Sequence, residues 1–376
     1  MMTDRIRSFL NERRPDGPCL VVDLNVVRRN YQSFTRALPD SRIFYAVKAN
    51  PAPEILNLLA SLGSSFDAAS VPEIEMVLAT GTTPDRISYG NTIKKERDIA
   101  RAHELGIRLF AVDCVEEVEK IARAAPGARI FCRILTDGVG AEWPLSRKFG
   151  CVAHEAVDVL ERARALGLTP HGISFHVGSQ QTDIGAWDRA LADAAAVFRA
   201  ASDRGMQLAM VNLGGGFPAR YLKEVPAAQD YGRAIFRGLR RHFGNRIPET
   251  IIEPGRGLVG DAGVLKAEVV LVSKKARDDK LRWVYLDVGK FGGLAETMDE
   301  AIRYPIVTPR AGETGPCVIA GPTCDSADVL YEKTPYELPL TLTIGDEVLI
   351  EGAGAYTTTY CAVAFNGFAP LQSYVI

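Results

Sequence analysis

Short apolar runs alternate with helical patterns from about residue 42 to about residue 255. Segments between the runs, such as PEILNLLASLG, carry apolar residues at helical spacing and end at glycine. Eight strands alternating with helices over this span predict a (β/α)8 TIM-like barrel rather than a doubly wound sheet. The runs are RIFYAVK, SSFDAAS, RISYGN, IRLFAVD, ARIFCRIL, GISFHVG, LAMVNLGGG and TIIEPG.

A different pattern begins after about residue 262, where strand-like runs follow one another with turns and little helix between them. This pattern predicts a separate all-β domain. The runs are VLKAEVVLVS, LRWVYLDVG, PCVIAG, LPLTLTIGDEVLIEG and CAVAFNG. The early run PCLVVDL is assigned to the β domain, and a short amphipathic helix is expected before it. The predicted domains are therefore 25–262 for the barrel, and 1–24 with 263–376 for the β domain.

Composition narrows the choice of partners and compartment. The formal net charge is -2 with 24% charged residues, so neither nucleic acid nor an anionic membrane is an expected partner. The chain has 7 cysteines and no CxxC pair, so no disulfide framework, thiolate zinc site or other metal is predicted. The sequence shows no signal-peptide pattern and no membrane-spanning run. A cytoplasmic protein is the expectation.

Chemically active residues stand where the predicted strands end, and barrel enzymes place their sites at those ends. Lys48 ends the first run, Asp67 lies in the second, His176 in the sixth, and Glu253 ends the eighth. An isolated lysine is most often only the surface exit of a strand. In a water-poor barrel mouth, however, a lysine can lose its proton and attack a carbonyl. We expect these side chains to converge on one rim.

Two glycine turns follow the seventh and eighth runs. Gly214, Gly215 and Gly216 belong to the first turn, and Gly255 with Arg256 to the second. A dinucleotide fingerprint does not fit, because a strand-like run follows the second turn and no ribose-binding acid accompanies the first. Exposed backbone N–H groups completed by a guanidinium predict an anion site, such as one for phosphate.

With these residues in place, the chain resembles the fold-type III pyridoxal phosphate decarboxylases of basic amino acids. The matching stretches follow the family order from about residue 18 to about residue 370. The resemblance implies an alanine-racemase-like architecture of barrel plus β domain. The stretches are YAVKAN, FDAAS, LSRKFG, SFHVGSQ, NLGGGFP, EPGR, GPTCDSAD, GAYT and FNGF.

The resemblance implies that Lys48 holds pyridoxal 5′-phosphate covalently as a Schiff base. Glu253 would pair with the pyridine nitrogen and keep it protonated, which makes the ring an electron sink. His176 would stack on one face of the ring, and Asp67 would lie near the lysine. The phosphate would be held by Ser179, Gly214, Gly215, Gly216, Gly255, Arg256 and Tyr356.

The resemblance also implies a head-to-tail homodimer with shared active sites. Cys324 and Asp325 would enter the site of the other subunit. Cys324 would return a proton to the substrate Cα, and Asp325 would bind the distal ammonium of the substrate. Lys148 and Asp328 match a pair that bridges the dimer interface in the family.

The activity implied is decarboxylation of L-ornithine to putrescine, a step of polyamine biosynthesis. A second acid facing the distal amine is either Asp299 or Glu300, and Glu300 is favoured. Phe291 stands where the animal ornithine decarboxylases place a tyrosine, a departure at a substrate-side position.

Other activities stay open. Ornithine and lysine differ by one methylene, which an apolar pocket separates only by ~10–200-fold, so a bifunctional lysine/ornithine decarboxylase is an alternative. Diaminopimelate decarboxylase is less favoured, because its motif places Glu where this chain has Asp325. From a different class, a non-catalytic regulator of polyamine levels is disfavoured because Lys48, Glu253 and Cys324 are all present. The EPGR and GPTCDSAD motifs also disfavour an alanine racemase.

Overall fold

A computed structural model describes residues 1–143 and 148–376. The chain begins with helix α1 (Asp4–Arg13), strand β1 (Cys19–Val22) and helix α2 (Leu24–Ala37). The hydroxyl of Thr3 accepts a hydrogen bond from the Ile6 N–H and so caps α1. The helix predicted before the first strand is therefore confirmed.

The closed barrel follows α2 and, within the described residues, is built from eight parallel strands. Neighbours around the barrel follow the order β10-β11-β2-β3-β4-β5-β6-β8, and Thr250 of β11 pairs with Ser41 of β2 to close it. A short antiparallel pair, β7 with β9, stands apart from the barrel. The strands are β2 (Ser41–Ala46), β3 (Ser65–Ala68), β4 (Ile87–Tyr89), β5 (Leu109–Val112), β6 (Arg129–Arg133), β7 (Ala141–Trp143), β8 (Thr169–Ser174), β9 (Ser179–Gln181), β10 (Met210–Asn212) and β11 (Glu249–Ile252).

Helices alternate with these strands, as the sequence predicts. Ser70 starts one of them by accepting a hydrogen bond from the Glu73 N–H, and a proline follows in its first turn. The helices are α3 (Pro53–Ser61), α4 (Val71–Leu78), α5 (Glu96–Glu104), α6 (Val115–Ala124), α7 (Ala153–Ala165), α8 (Ala186–Asp203), α9 (Ala228–Phe243) and α10 (Arg256–Val259).

Burial on both faces explains why the barrel strands read as continuous apolar runs. Every residue of β3 and of β5 is buried. A cluster of apolar side chains from different strands packs in the barrel core and consists of Phe44, Leu109, Ala111, Phe131, Met210 and Ile251. The predicted barrel is confirmed.

The second unit is built around a mixed sheet. Its strands follow the order β14-β17-β12-β13-β15-β16, and β1 pairs antiparallel with β12 and parallel with β18. The early run PCLVVDL thus contributes β1 (Cys19–Val22) to this sheet. The strands are β12 (Gly263–Ser273), β13 (Arg282–Leu286), β14 (Ile306–Val307), β15 (Thr314–Ala320), β16 (Val329–Pro339), β17 (Glu347–Glu351) and β18 (Gln372–Val375).

One predicted strand is wrong. CAVAFNG does not form a strand but contains a 3₁₀ turn (Phe365–Gly367). Ala364 and Asn366 have φ angles of 59° and 51°, in the left-handed region, which interrupts an extended strand. The run LPLTLTIGDEVLIEG is also not one strand, because it is divided between the end of β16 and the whole of β17.

By compactness, the chain divides into a barrel unit of Arg28–Pro218 with Val225–Gly257, and a β unit of Met1–Val27, Ala219–Glu224 and Leu258–Ile376. The segment Ala219–Glu224 thus belongs to the β unit although it lies within the predicted barrel range. Across residues 1–143 and 148–376, the helices are all too short or too polar to cross a bilayer.

Candidate active site

Lys48 follows β2 at the carboxyl end of the barrel, in a 3₁₀ turn (Val47–Ala49). Val47 and Ala49 are buried, whereas Lys48 is exposed at the rim. The exposure differs from the water-poor position that the sequence predicts. Because parallel barrel strands end at the same rim, the groups at the ends of the other strands lie on the same side as this amine.

Asp67 lies in β3 and is buried. The Ser88 hydroxyl donates to Asp67 Oδ1 at 2.8 Å, and a Cβ added at Gly90 would lie 1.9 Å from the same oxygen. Burial raises the pKa of Asp67, the charge of Glu253 raises it further, and the Lys48 ammonium acts in the opposite direction. Lys48, Asp67 and Glu253 therefore share one electrostatic environment.

Glu253 follows β11, and Asn212 ends the adjacent strand β10. The Asn212 amide donates to Glu253 Oε1, while its Oδ1 accepts from the Gly214 N–H at 2.9 Å. Burial raises the pKa of Glu253, and the Asn212 hydrogen bond and the charges of Lys48 and Arg133 lower it. Burial is the largest of these effects, so the pKa of Glu253 is raised overall, and the amide and the two cations act in favour of the carboxylate form that pairs with a protonated pyridine nitrogen.

His176 lies just after β8. Its Nδ1 accepts a hydrogen bond from the Gly178 N–H at 3.0 Å, which assigns the proton of the neutral ring to Nε2. Burial holds the pKa of His176 well below its usual value, and the charges of Arg133 and Lys48 lower it further. The imidazole is therefore neutral at pH 7 and suited to stack on a flat ligand.

Arg133 ends β6 and belongs to the same rim, although sequence reasoning missed it. Burial lowers the pKa of its guanidinium, and the charges of Glu253, Asp113 and Asp67 oppose this effect. The guanidinium lies 5.3 Å from the centre of the Phe149 ring. An arginine within the apolar run ARIFCRIL was the signal available in the sequence.

The glycine turn after β10 packs against neighbouring backbone. A Cβ at Gly214 would lie 2.1 Å from the carbonyl oxygen of Phe175, and a Cβ at Gly215 would lie 2.6 Å from that of Glu253. Gly214 also has a φ angle of 66°, in the left-handed region where glycine is favoured. Such a turn brings backbone N–H groups close to a ligand.

The guanidinium of Arg256 lies in the same unit as the glycine turn. Nη2 of Arg256 donates to the Ser179 hydroxyl at 3.1 Å, and Arg256 is buried. Together with the glycine turn, these groups have the donor chemistry that a phosphate needs. The residues present therefore fit pyridoxal phosphate: a lysine, a carboxylate, a neutral ring and an anion cradle.

The β unit carries the predicted substrate-side residues and also Tyr356, which was predicted to bind the phosphate. Cys324 and Asp325 are exposed in the connection between β15 and β16. The ring of Phe291 lies 5.2 Å from that of Phe365. Tyr356 has a φ angle of 57°, in the left-handed region.

Asp299 and Glu300 have different environments. Asp299 is exposed and lies 3.1 Å from Lys333 Nζ. Glu300 is only 10% exposed, and its Oε1 accepts from the backbone N–H groups of Glu332 at 2.8 Å and Lys333 at 2.6 Å. Its Oε2 also pairs with Arg303 at 3.0 Å. The preference for Glu300 drawn from the sequence stays a prediction, and the Glu300 carboxylate is bonded to the backbone of strand β16.

Asp328 is buried, and its carboxylate is bonded within the β unit. Oδ1 accepts from the Lys290 N–H at 2.7 Å, and Oδ2 from the Thr323 hydroxyl at 2.8 Å. Lys148 is exposed, with its ammonium 5.0 Å from the centre of the Phe149 ring. The remaining residues 145–147 of the LSR part of LSRKFG lie outside the described residues.

Comparison with known proteins places the chain in a family. Residues 24–260 match the family model described as pyridoxal-dependent decarboxylase, pyridoxal binding domain. The chain is 38% identical over 361 residues to a lysine/ornithine decarboxylase of Selenomonas ruminantium, covering 95% of this chain and 88% of the relative. It is 34% identical over 384 residues to a chloroplastic ornithine decarboxylase of Nicotiana glutinosa, covering 98% and 86%.

A solved structure agrees with these relatives. The lysine/ornithine decarboxylase of Vibrio vulnificus, complexed with cadaverine, superposes with a TM-score of 0.89 at 30% identity and full coverage of both chains (100% each). The groups at the barrel rim, the fold of the two units and these similarities lead to one conclusion. The chain belongs to the fold-type III pyridoxal phosphate-dependent decarboxylases of basic amino acids.

Proposed function

We propose that this decarboxylase acts on L-ornithine and releases putrescine, in polyamine biosynthesis. Relatives named for ornithine decarboxylation, alone or together with lysine, match nearly the whole chain. The observation that carries the chemistry is the set of Glu253, Lys48 and Asp67, an ionisable cluster at one barrel rim. Lysine is the second candidate substrate, because one of these relatives is named for both amino acids.

In this proposal, the barrel rim holds the cofactor. Lys48 would bind it covalently, His176 would stack on its ring, and the Glu253 carboxylate would face its ring nitrogen. The bound cofactor supplies an electron sink for the pair left when CO2 departs. Asp67 would help to set the charge around the lysine. The phosphate would be held by Ser179, Gly214, Gly215, Gly216, Gly255, Arg256 and Tyr356.

The β unit would supply the substrate-side chemistry. Cys324 would return a proton to the substrate Cα, and Asp325 would bind the distal ammonium. Asp299 becomes the better candidate for the second acid, since Glu300 is bonded to β16. Phe291 would line the aliphatic part of the substrate without the hydroxyl that a tyrosine would bring.

We propose a cytoplasmic homodimer in which each site combines Lys48 of one subunit with Cys324 and Asp325 of the other. Lys148 and Asp328 would lie at the interface. Mixing Lys48→Ala protein with Cys324→Ala protein should then restore part of the lost activity, because some mixed dimers regain one intact site. Persistent inactivity, with subunit exchange verified by mass spectrometry, would contradict the shared site.

Product analysis tests the substrate. Ornithine, lysine, arginine and meso-diaminopimelate are offered together with pyridoxal phosphate, and the amines are separated and quantified. We expect putrescine to dominate over cadaverine by about tenfold or more, within the range that one methylene supports. Comparable amounts of the two amines would instead indicate the bifunctional enzyme. A protein without a visible cofactor absorbance band and without product would be a regulator rather than an enzyme.

A further inference from the structure

The connection Gly321–Asp328, here named the Cys324 turn, is held from within by its own last residue. Asp328 is only 2% exposed. Its Oδ2 accepts from the hydroxyl and the N–H of Thr323, at 2.8 and 3.3 Å, and its Oδ1 accepts from the Lys290 N–H at 2.7 Å. One carboxylate thus joins the Cys324 turn to the segment that follows β13.

Close packing fixes the position of this carboxylate. A Cβ added at Gly289 would lie 2.2 Å from Asp328 Oδ1, and one added at Gly321 would lie 2.3 Å from Oδ2. The backbone closes the turn as well, because the Gly321 N–H donates to the Asp328 carbonyl at 2.8 Å. The glycines let two backbone segments approach the carboxylate closely, and they leave no room for another side chain.

A second side chain reaches the turn from the FNGF segment. Asn366 Oδ1 accepts a hydrogen bond from the Cys324 N–H at 2.9 Å. Asn366 has a φ angle of 51°, a left-handed conformation that asparagine tolerates better than most residues. Its segment is itself tied to Phe291, whose carbonyl accepts from the Ala362 N–H at 2.8 Å. The backbone of Cys324 is therefore fixed by the Asn366 side chain through the Cys324 N–H.

We propose that Asp328 and Asn366 are positioning residues, which set the direction in which Cys324 and Asp325 project from the β unit. This inference rests on the proposed function, in which those two side chains act on the substrate. Proton return and ammonium binding depend on placement within a fraction of an ångström to an ångström. The bonds that hold the Cys324 turn are therefore part of what the reaction requires.

Amide hydrogen exchange tests the positioning directly, with and without added pyridoxal phosphate. In Asn366→Ala protein, the Cys324 amide loses its acceptor and should exchange about five- to tenfold faster. Asn366→Asp retains an oxygen at the same place and should restore protection. Asn11→Ala, an exposed asparagine of α1, is the matched control and should leave this amide unchanged.

A second variant removes the charge of Asp328 at constant size. Asp328→Asn replaces one acceptor oxygen by an amide NH2 group, so the Thr323 amide should exchange about five- to tenfold faster. Asp278→Asn is its exposed control. For both positioning variants, kcat should fall about tenfold or more, while the cofactor absorbance stays unchanged because no barrel residue is altered.

Two results overturn the inference in distinguishable ways. The positioning role is wrong if Asn366→Ala and Asp328→Asn both leave amide exchange and kcat unchanged. If Cys324→Ala is inactive in the same experiment, the proposed function still stands. Full activity of Cys324→Ala and Asp325→Ala proteins removes the functional assignment, and the positioning role falls with it.

Discussion

The ammonium of Lys94 lies 3.0 Å from Oε1 of Glu117 in a buried ion pair of the barrel unit. Lys94 Nζ also donates to the carbonyl oxygens of Asn91 and Ala111, each at 2.7 Å. Lys120 lies 2.6 Å from the other Glu117 oxygen and is partly exposed. Glu117 therefore has two cationic neighbours, whereas Lys94 depends on Glu117 for its countercharge.

This asymmetry predicts unequal costs of removing each partner. Loss of one member of a buried pair costs about 3–5 kcal/mol when the other charge stays buried. Glu117→Leu should reduce the free energy of unfolding by about that amount, and Lys94→Met should reduce it less, because Lys120 still neutralises Glu117. Urea unfolding of both variants measures this difference. The double variant should be more stable than Glu117→Leu; a double variant that is less stable would contradict the account.

The same lysine predicts a pH dependence. Burial lowers the pKa of Lys94 to about 8, against about 10.4 in an unfolded chain. Between these values the unfolded state binds the proton and the folded state does not, so stability from this group rises with pH. The free energy of unfolding of the unaltered protein should gain about 2–3 kcal/mol relative to Lys94→Met between pH 7.5 and pH 10.5. A constant difference in urea unfolding across this window would refute the assignment.

Asn212 should control the pH profile of catalysis. Its hydrogen bond lowers the pKa of Glu253, so Asn212→Ala should raise that pKa and move the acidic limb of kcat/KM to higher pH. At pH 6 we expect a loss of about tenfold from the missing bond to a charged group, with a smaller loss at pH 8. The exposed Asn245→Ala provides the control. An acidic limb that stays in place would show that Glu253 does not govern it.

Gly215 should tolerate no side chain. An added Cβ would lie 2.6 Å from the Glu253 carbonyl oxygen and 3.2 Å from His176 Nε2, so the backbone of the glycine turn must move. Gly215→Ala should weaken pyridoxal phosphate binding by about tenfold or more, measured by absorbance titration. Gly185→Ala, where a Cβ would meet the half-exposed side chains of Asp183 at 3.1 Å and Arg189 at 3.6 Å, is the matched control. Equal pyridoxal phosphate affinities of Gly215→Ala and Gly185→Ala would contradict the placement of the cofactor at the glycine turn.

The barrel was predictable because its strands are buried on both faces, which leaves continuous apolar runs in the sequence. Lys48 and Glu253 were predictable because they interrupt or end such runs. Arg133 and Asn212 were missed because the role of each depends on a carboxylate that lies on another strand. Contacts between distant strands have no local pattern.

The β unit was less predictable for a physical reason. Strand β16 lies at an edge of the sheet, contains Pro335 and exposes several polar residues, so it lacks apolar alternation. The sequence also offered no local pattern that separates Asp299 from Glu300. Both residues have left-handed φ angles, 52° and 60°, and this irregular turn decides which carboxylate faces β16.

The pairing of β1 with β12 and β18 has a consequence for biogenesis. Cys19 pairs with Lys266 and with Gln372, so a ribosome makes β1 before the barrel and both of its neighbours afterwards. The barrel sequence can collapse before β12 and β18 are made. Until then β1 is an unpaired strand whose edge could bind other nascent chains. Slow translation downstream of the barrel would lengthen that exposure and should increase the demand for chaperones.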